Sequence, residues 1–263
     1  MDINKNRGNS NVLLGRLLDN LDVNFWLADI GGGSKDNAIP REAWATIVVS
    51  KADCEKAKKQ ISDFAAILKA EYQHSDEGLC ITAECADMPA KVFPANTTKQ
   101  AIALLTTIPC GVADMSATLD YLVETSNNLG VVAIDDNKLK ITSATRSSVE
   151  SRKDAHIRKI VAIAEAHGAK TSVTDGYPGW AYNPTSKLRD TFQRVYEEKY
   201  GVASKTLAIH AGVECGIFAE KLPGLDMIAF GPNMYDVHTP NERLSISSTA
   251  NTYEFLLAVL KAL

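Results

Sequence analysis

The chain has 263 residues, 45% apolar and 23% charged, with a net charge of −4. Those proportions predict an ordinary globular protein. They offer no basic patch for nucleic acid, and no run approaches the ~20 apolar residues of a membrane span. Residues 1–11, MDINKNRGNSN, lack the apolar stretch of a secretory leader. Cys54, Cys80, Cys85, Cys110 and Cys215 are odd in number and form no CxxC. That usage predicts free thiols in a reducing cytoplasm.

Residues 9–21 place Val12, Leu13, Leu17 and Leu21 on one helical stripe, with Asn9 or Ser10 as its cap. Residues 25–30 read as a strand running into the turn-rich GGGSKDNAIPRE, and 44–49 as a second strand. Residues 53–72 form an amphipathic pattern with Ile61, Phe64, Ala65 and Leu68 on the apolar side. A strand over 79–84 and a helix over 98–107 follow. Residues 122–126, 130–134 and 138–143 read as three strands, with DDNK at 135–138 as a tight turn. Residues 149–167 form a long helix stopped at Gly168. This much predicts an α+β layer, a sheet covered by helices.

After Gly168 the pattern alternates: strands at 170–173, 206–209 and 227–230, and helices at 186–200, 213–219 and 248–262. Such alternation predicts parallel pairing. The fold class is therefore α/β, divided into residues 1–168 and 169–263. The second segment is thin for a self-sufficient domain and reads as part of a larger sheet.

Groups able to bind a metal or move a proton are densest between 205 and 243. His210 and Glu214 follow one apolar run, and His238 and Glu242 follow another. A neutral imidazole at a strand end suits zinc, but one histidine makes no metal site and also reads as a hydrogen-bonded loop residue. Glu242 reads as support for such a ligand or as a solvated carboxylate. His210 reads as a strand cap or as similar support. Glu214 opens a short helix, where its charge is favoured; it also suits a substrate ammonium. Arg146 lies in KITSATRSS, and an arginine fork suits a carboxylate; a surface arginine is the plain alternative. Asn37 in DNAIPRE reads as a turn residue. The chain contains no GxxxxGK[ST], GxSxG or HExxH.

Five stretches together resemble the aminoacyl-histidine dipeptidases of the M20 metallopeptidase family. They are NAIPREAWATI (37–47), VETSNNLGVV (123–132), AKTSVTDGYPGW (169–180), IHAGVECGIF (209–218) and GPNMYDVHTPNERL (231–244). The resemblance implies a two-zinc catalytic domain with an inserted lid. Residues 1–168 would be a lid that also dimerises, and 169–263 the last part of the catalytic domain. It further implies that His238 is a zinc ligand and that Arg146 holds the substrate's C-terminal carboxylate. Asn37 would lie near the scissile carbonyl, and Glu214 would meet the substrate's amino group. The family's other zinc ligands and its general base precede the lid and have no counterpart here. The expectation is thus part of a cytoplasmic zinc dipeptidase acting on Xaa-His dipeptides, inactive alone, with no nucleic-acid or membrane partner. The alternative is a non-catalytic dimerisation or binding module derived from such a peptidase.

Overall fold

A computed structural model describes residues 3–174, 176–207, 214–237 and 240–263. The chain divides into two compact units, Met1–Asp175 and Gly176–Leu263. Ala169, the first residue past the expected division, donates its backbone N–H to Ala164 O and packs on the core of the first unit.

The first unit begins at α1 (Ser10–Asp19). Asn9 caps it by accepting from the backbone N–H groups of Asn11 and Val12, two of the donors that a helix start leaves without partners. α1 buries Leu13, Leu17 and Leu18. Next come β1 (Phe25–Gly32), β2 (Ala43–Val49), α2 (Cys54–Glu71) and α3 (Ala95–Thr107). β3 (Gly111–Met115), β4 (Val123–Asp135), β5 (Lys138–Ser147) and α4 (Glu150–Ala166) complete the unit. The strands make one five-stranded sheet ordered β2-β1-β4-β3, with β5 along the other side of β4. All its ladders are antiparallel. Between β4 and β5, Asp136 (φ 49°) and Asn137 (φ 57°) both take the left-handed conformation that a two-residue hairpin of matching twist requires.

The core lies between the sheet and its helices. Leu17, Leu27, Ile30, Leu105, Leu129 and Val132 are at its centre, each almost without solvent contact. Alternation along β1 and β2, with a register shift in β1 between Leu27 and Asp29, sends Leu27, Ile30 and Ile47 inward and leaves Trp26 and Trp44 exposed.

Three details differ from the sequence expectation. Residues 79–84 join no ladder, although Ile81 still packs on the core. β3, with both faces largely exposed, carries no periodic signal and was missed. The expected strands at 122–126 and 130–134 are one strand, β4, interrupted only by a register shift between Leu129 and Val131.

The second unit holds α5 (Lys187–Tyr200), α6 (Glu214–Lys221), the short pair β6 (Met234–Tyr235) and β7 (Arg243–Leu244), and α7 (Ile246–Ala262). Ser186 caps α5 by accepting from Arg189 N at 3.0 Å, and Gly201 ends it at φ 70°. Serine and glycine are the residue types those positions favour. Val195, Phe255 and Val259 form a small core. Phe192 and Phe230 pack edge-on against the Phe255 ring, with centroids 5.6 and 5.9 Å away. Ile217, Phe218, Leu225, Leu244 and Leu260 remain exposed.

Among the described residues the expected parallel ladders do not form; β6 and β7 pair antiparallel. Residues 170–173, 206–207 and 227–230 have no strand to bond with among the described residues, and 208–209 of the expected strand lie outside them; extended backbone becomes a strand only by pairing. No helix among the described residues is long and apolar enough to cross a membrane.

Candidate functional site

β4 meets β3 through Val123–Asn127 and β1 only at Val132. Between those contacts its backbone groups face a gap in the sheet. The start of α1 fills that gap. Leu129 O accepts from Asn9 Nδ2 at 3.1 Å and from Asn11 Nδ2 at 3.2 Å. Leu129 N donates to Cys110 Sγ at 3.4 Å. Asparagine suits the task because its amide supplies donors and an acceptor on a short, neutral side chain. These buried groups would otherwise be left unpaired, at a cost of ~1–3 kcal/mol each.

Along β4 and β5 the side chains alternate between the sheet's faces. On the helix-covered face, Thr145 Oγ1 donates to Asn127 Oδ1 at 2.9 Å, and Thr125 and Ser147 join their hydroxyls at 2.9 Å. On the opposite face Arg146 stands across from Ser126, and Ala144 across from Asn128. Arg146 is half-buried.

Asn37 belongs to the connection between β1 and β2, in an exposed turn. Asn128 reaches that turn directly. Its Nδ2 donates to Asp36 O at 2.7 Å and to Ala38 O at 2.8 Å. The turn that carries Asn37 is thus bonded to Asn128, and Arg146 pairs with Ser126 two residues along β4.

The other expected site residues fall in the second unit. Glu214 is the exposed first residue of α6, and Glu242 is exposed just before β7. Across the short pair, Arg243 bonds Asp236 and its guanidinium covers the Tyr235 ring at 5.2 Å. His210 and His238 lie outside the described residues.

The donor set was tested against the two-metal centre that the resemblance implies. Among the described residues no three His, Cys, Asp or Glu side chains converge on one point. The described histidines, His74, His156 and His167, belong to the first unit. His156 sits beside Lys159 and Asp114 in a shallow cavity bounded by Pro109–Ala113. All five cysteines are free. The described residues therefore do not assemble a metal centre, and no hydrolytic step is assigned to them.

A family model, "Peptidase family M20/M25/M40", matches residues 20–262. The chain belongs to this family. It is 33% identical over 264 residues to a cytosol non-specific dipeptidase of Escherichia coli (strain K12), covering 99% of this chain and 54% of that protein. The crystal structure of an aminoacylhistidine dipeptidase from Vibrio alginolyticus superposes with a TM-score of 0.93 at 32% identity. That match covers all of this chain and 54% of the other. The M20 chain thus spans about half the length of these relatives, and its mixture of helices and antiparallel sheet fits an α/β peptidase fold.

Sequence reasoning passed over Asn11, Asn128 and Gly130, and gave Asn9 only as a helix cap. A signal was present: asparagines directly before an amphipathic run (NSN, 9–11) and inside a strand (SNNLG, 126–130). Local hydrogen bonding makes asparagine a poor regular-element residue, so each points to a backbone group elsewhere that needs a partner.

Proposed function

We propose that this M20 chain is the lid together with the C-terminal part of the catalytic domain of a cytoplasmic, zinc-dependent dipeptidase acting on Xaa-His dipeptides. One observation carries the reading: Asn128 holds the turn of Asn37 by the carbonyls on either side of it, and Arg146 pairs with Ser126 two residues along the same strand. The match along the whole chain to two dipeptidases supports it. In this reading Arg146 grips the C-terminal carboxylate through its planar fork. Asn37 donates its amide toward the scissile carbonyl, and Glu214 meets the substrate's ammonium.

His238 supplies one zinc ligand, with Glu242 and His210 as its supports. The remaining donors belong to the part of the relatives' length that this chain does not span. Zinc would supply Lewis acidity and an activated water; the 263 residues alone bind substrate without turning it over. The lid pairs two copies, using an open sheet edge such as the outer side of β2, which bonds only β1 among the described strands. Unpaired edges favour such pairing. Five free cysteines and the cytosolic relative support the cytoplasmic setting.

The test is a titration with glycyl-histidine and with its C-terminal amide, followed by NMR. Binding that needs the free carboxylate and disappears in Arg146→Ala is expected. Equal binding of both peptides, or an unaffected Arg146→Ala variant, would remove Arg146 from the role. Elemental analysis and a hydrolysis assay on the same sample address the rest. Turnover that is abolished by chelation and restored by zinc would overturn the inactivity of this chain.

A further inference from the structure

Asn128 is 92% shielded from solvent, and its amide is fully engaged. Its Oδ1 accepts from Asn9 Nδ2 at 3.2 Å. Its two Nδ2 hydrogens go to the backbone carbonyls of Asp36 and Ala38, the residues on either side of Asn37. The orientation of the amide is unambiguous, because both turn partners are acceptors. No other side chain type of this size brings two parallel donors and one acceptor without a charge.

The surroundings close the turn from below. A Cβ on Gly130 would fall 2.4 Å from Asp36 O, and one on Gly33 would fall 1.9 Å from Gly130 O. At Gly33 the backbone is also left-handed, at φ 71°. The ends of the β1–β2 connection are tied by Gly33 N to Glu42 O at 3.1 Å and by Ser10 N to Pro40 O at 3.2 Å. Asn37 itself is exposed, so its own side chain does not anchor the turn.

We infer that Asn128 is the positioning residue for Asn37. It locks residues 36–38 onto the sheet, so that the Asn37 amide is presented in one place relative to Arg146. A buried chain then runs from the α1 cap through Asn9 and Asn128 to the exposed turn, tying the recognition turn to the helix start. The functional side of this inference rests on the proposed role of Asn37. The clamp itself rests on hydrogen bonds alone.

The experiment uses the complete 263-residue chain. Asn128→Asp keeps the shape but turns oxygen toward two carbonyls, and Asn128→Ala removes the donors. Backbone amide exchange is measured residue by residue, with glycyl-histidine as the probe of the site. Exchange at the bonded turn amides of Gly33 and Ala38 is expected to rise about tenfold or more as the turn loosens, the loss expected for one to two hydrogen bonds. Leu129, Val132 and Ile141 should keep their protection. The peptide-induced shift of the Asn37 side-chain amide should disappear while that of Arg146 stays. Unchanged exchange at Gly33 and Ala38, or an equal rise across the whole sheet, would overturn the positioning role.

If neither variant folds, the wild-type Asn128 NH2 signals decide. Slow exchange of both hydrogens supports the clamp, and solvent-like exchange overturns it. Asn37→Ala, run in parallel, separates the two ideas. Unaltered glycyl-histidine binding there would overturn the reading of Asn37, whereas the exchange data on Asn128 would still report the clamp.

Discussion

Gly130→Ala would force the turn around Asp36 off the sheet by adding a single carbon. The new Cβ would lie 2.4, 2.5 and 2.7 Å from the O, Cα and C of Asp36. All three are backbone atoms, so no rotamer change relieves the clash. Ordinary carbon contact is about 3.5–4.0 Å, so the turn must retreat by roughly 1 Å. Overpacking of this kind costs about 1–3 kcal/mol. The Asn128 bonds to Asp36 and Ala38 would be stretched out of good geometry, and each contributes ~0.5–1.5 kcal/mol. The outer side of the turn faces solvent, which permits some relief, so the net loss should be about 2–3 kcal/mol. The assay is urea unfolding in a Trp180→Phe background, where only Trp26 and Trp44 of the first unit report. With a slope of about 2 kcal/mol per molar, the midpoint should fall by roughly 1–1.5 M. A shift under about 0.2 M, within the range of neutral surface changes, would refute the argument that the turn is seated on Gly130.

Three further outcomes follow from the packing and the charges. Phe255→Ala removes the ring that Phe192, Tyr196, Tyr200 and Phe230 all touch; it should cost about 3–5 kcal/mol and abolish the near-ultraviolet signal of the second unit, and retention of that signal would contradict the core described. Burial, aided by Lys159, holds the His156 pKa below that of a free histidine, with Asp114 opposing. The unfolded chain therefore takes the proton first, and the stability this residue contributes, complete above the unfolded pKa, is lost as pH falls through the folded one. The urea midpoint of the first unit should decline from pH 7 to pH 5, and His156→Gln should flatten that decline; an unaltered slope would count against it. Cys80 and Cys85 are exposed and should react quickly with an aromatic disulfide reagent. Cys110, whose thiol is pushed up by burial, should react slowest because the thiolate is the reacting form; its rapid modification would show that the gap beside β4 is open.

Much of the fold was legible because its strongest signals are local. The stripe of Val12, Leu13 and Leu17, the stops at Gly168 and Gly201, and the Asp-Asn turn before Lys138 each act within a few residues. Ladders were less legible, since a strand depends on a partner distant in sequence. Residues 227–230 carry the apolar run of a strand yet have none to pair with among the described residues. β3 has a partner but no pattern. At the candidate site, Arg146 and Asn37 were singled out, but the seating of the Asn37 turn on β4 was not, because it is made by Asn128. In sequence SNNLG reads as a break in the strand. In the fold those asparagines close a gap and hold a turn.

The register shift at Gly130 sets the phase of β4. Leu129 and Val132 both enter the core although only two residues lie between them, a spacing that strict alternation forbids. Gly130 is the extra residue, so deleting one residue there would restore plain alternation, with Val131 still opposite Thr142 and Val132 still opposite Ile141. A deletion or insertion in either flanking segment has no such absorber and would send the residues beyond it to the opposite face of the sheet. Along most of the chain a single-residue change in length alters a loop; in those segments it would exchange inside for outside. The bulge is thus the one point of this strand where the count can change without turning the core outward.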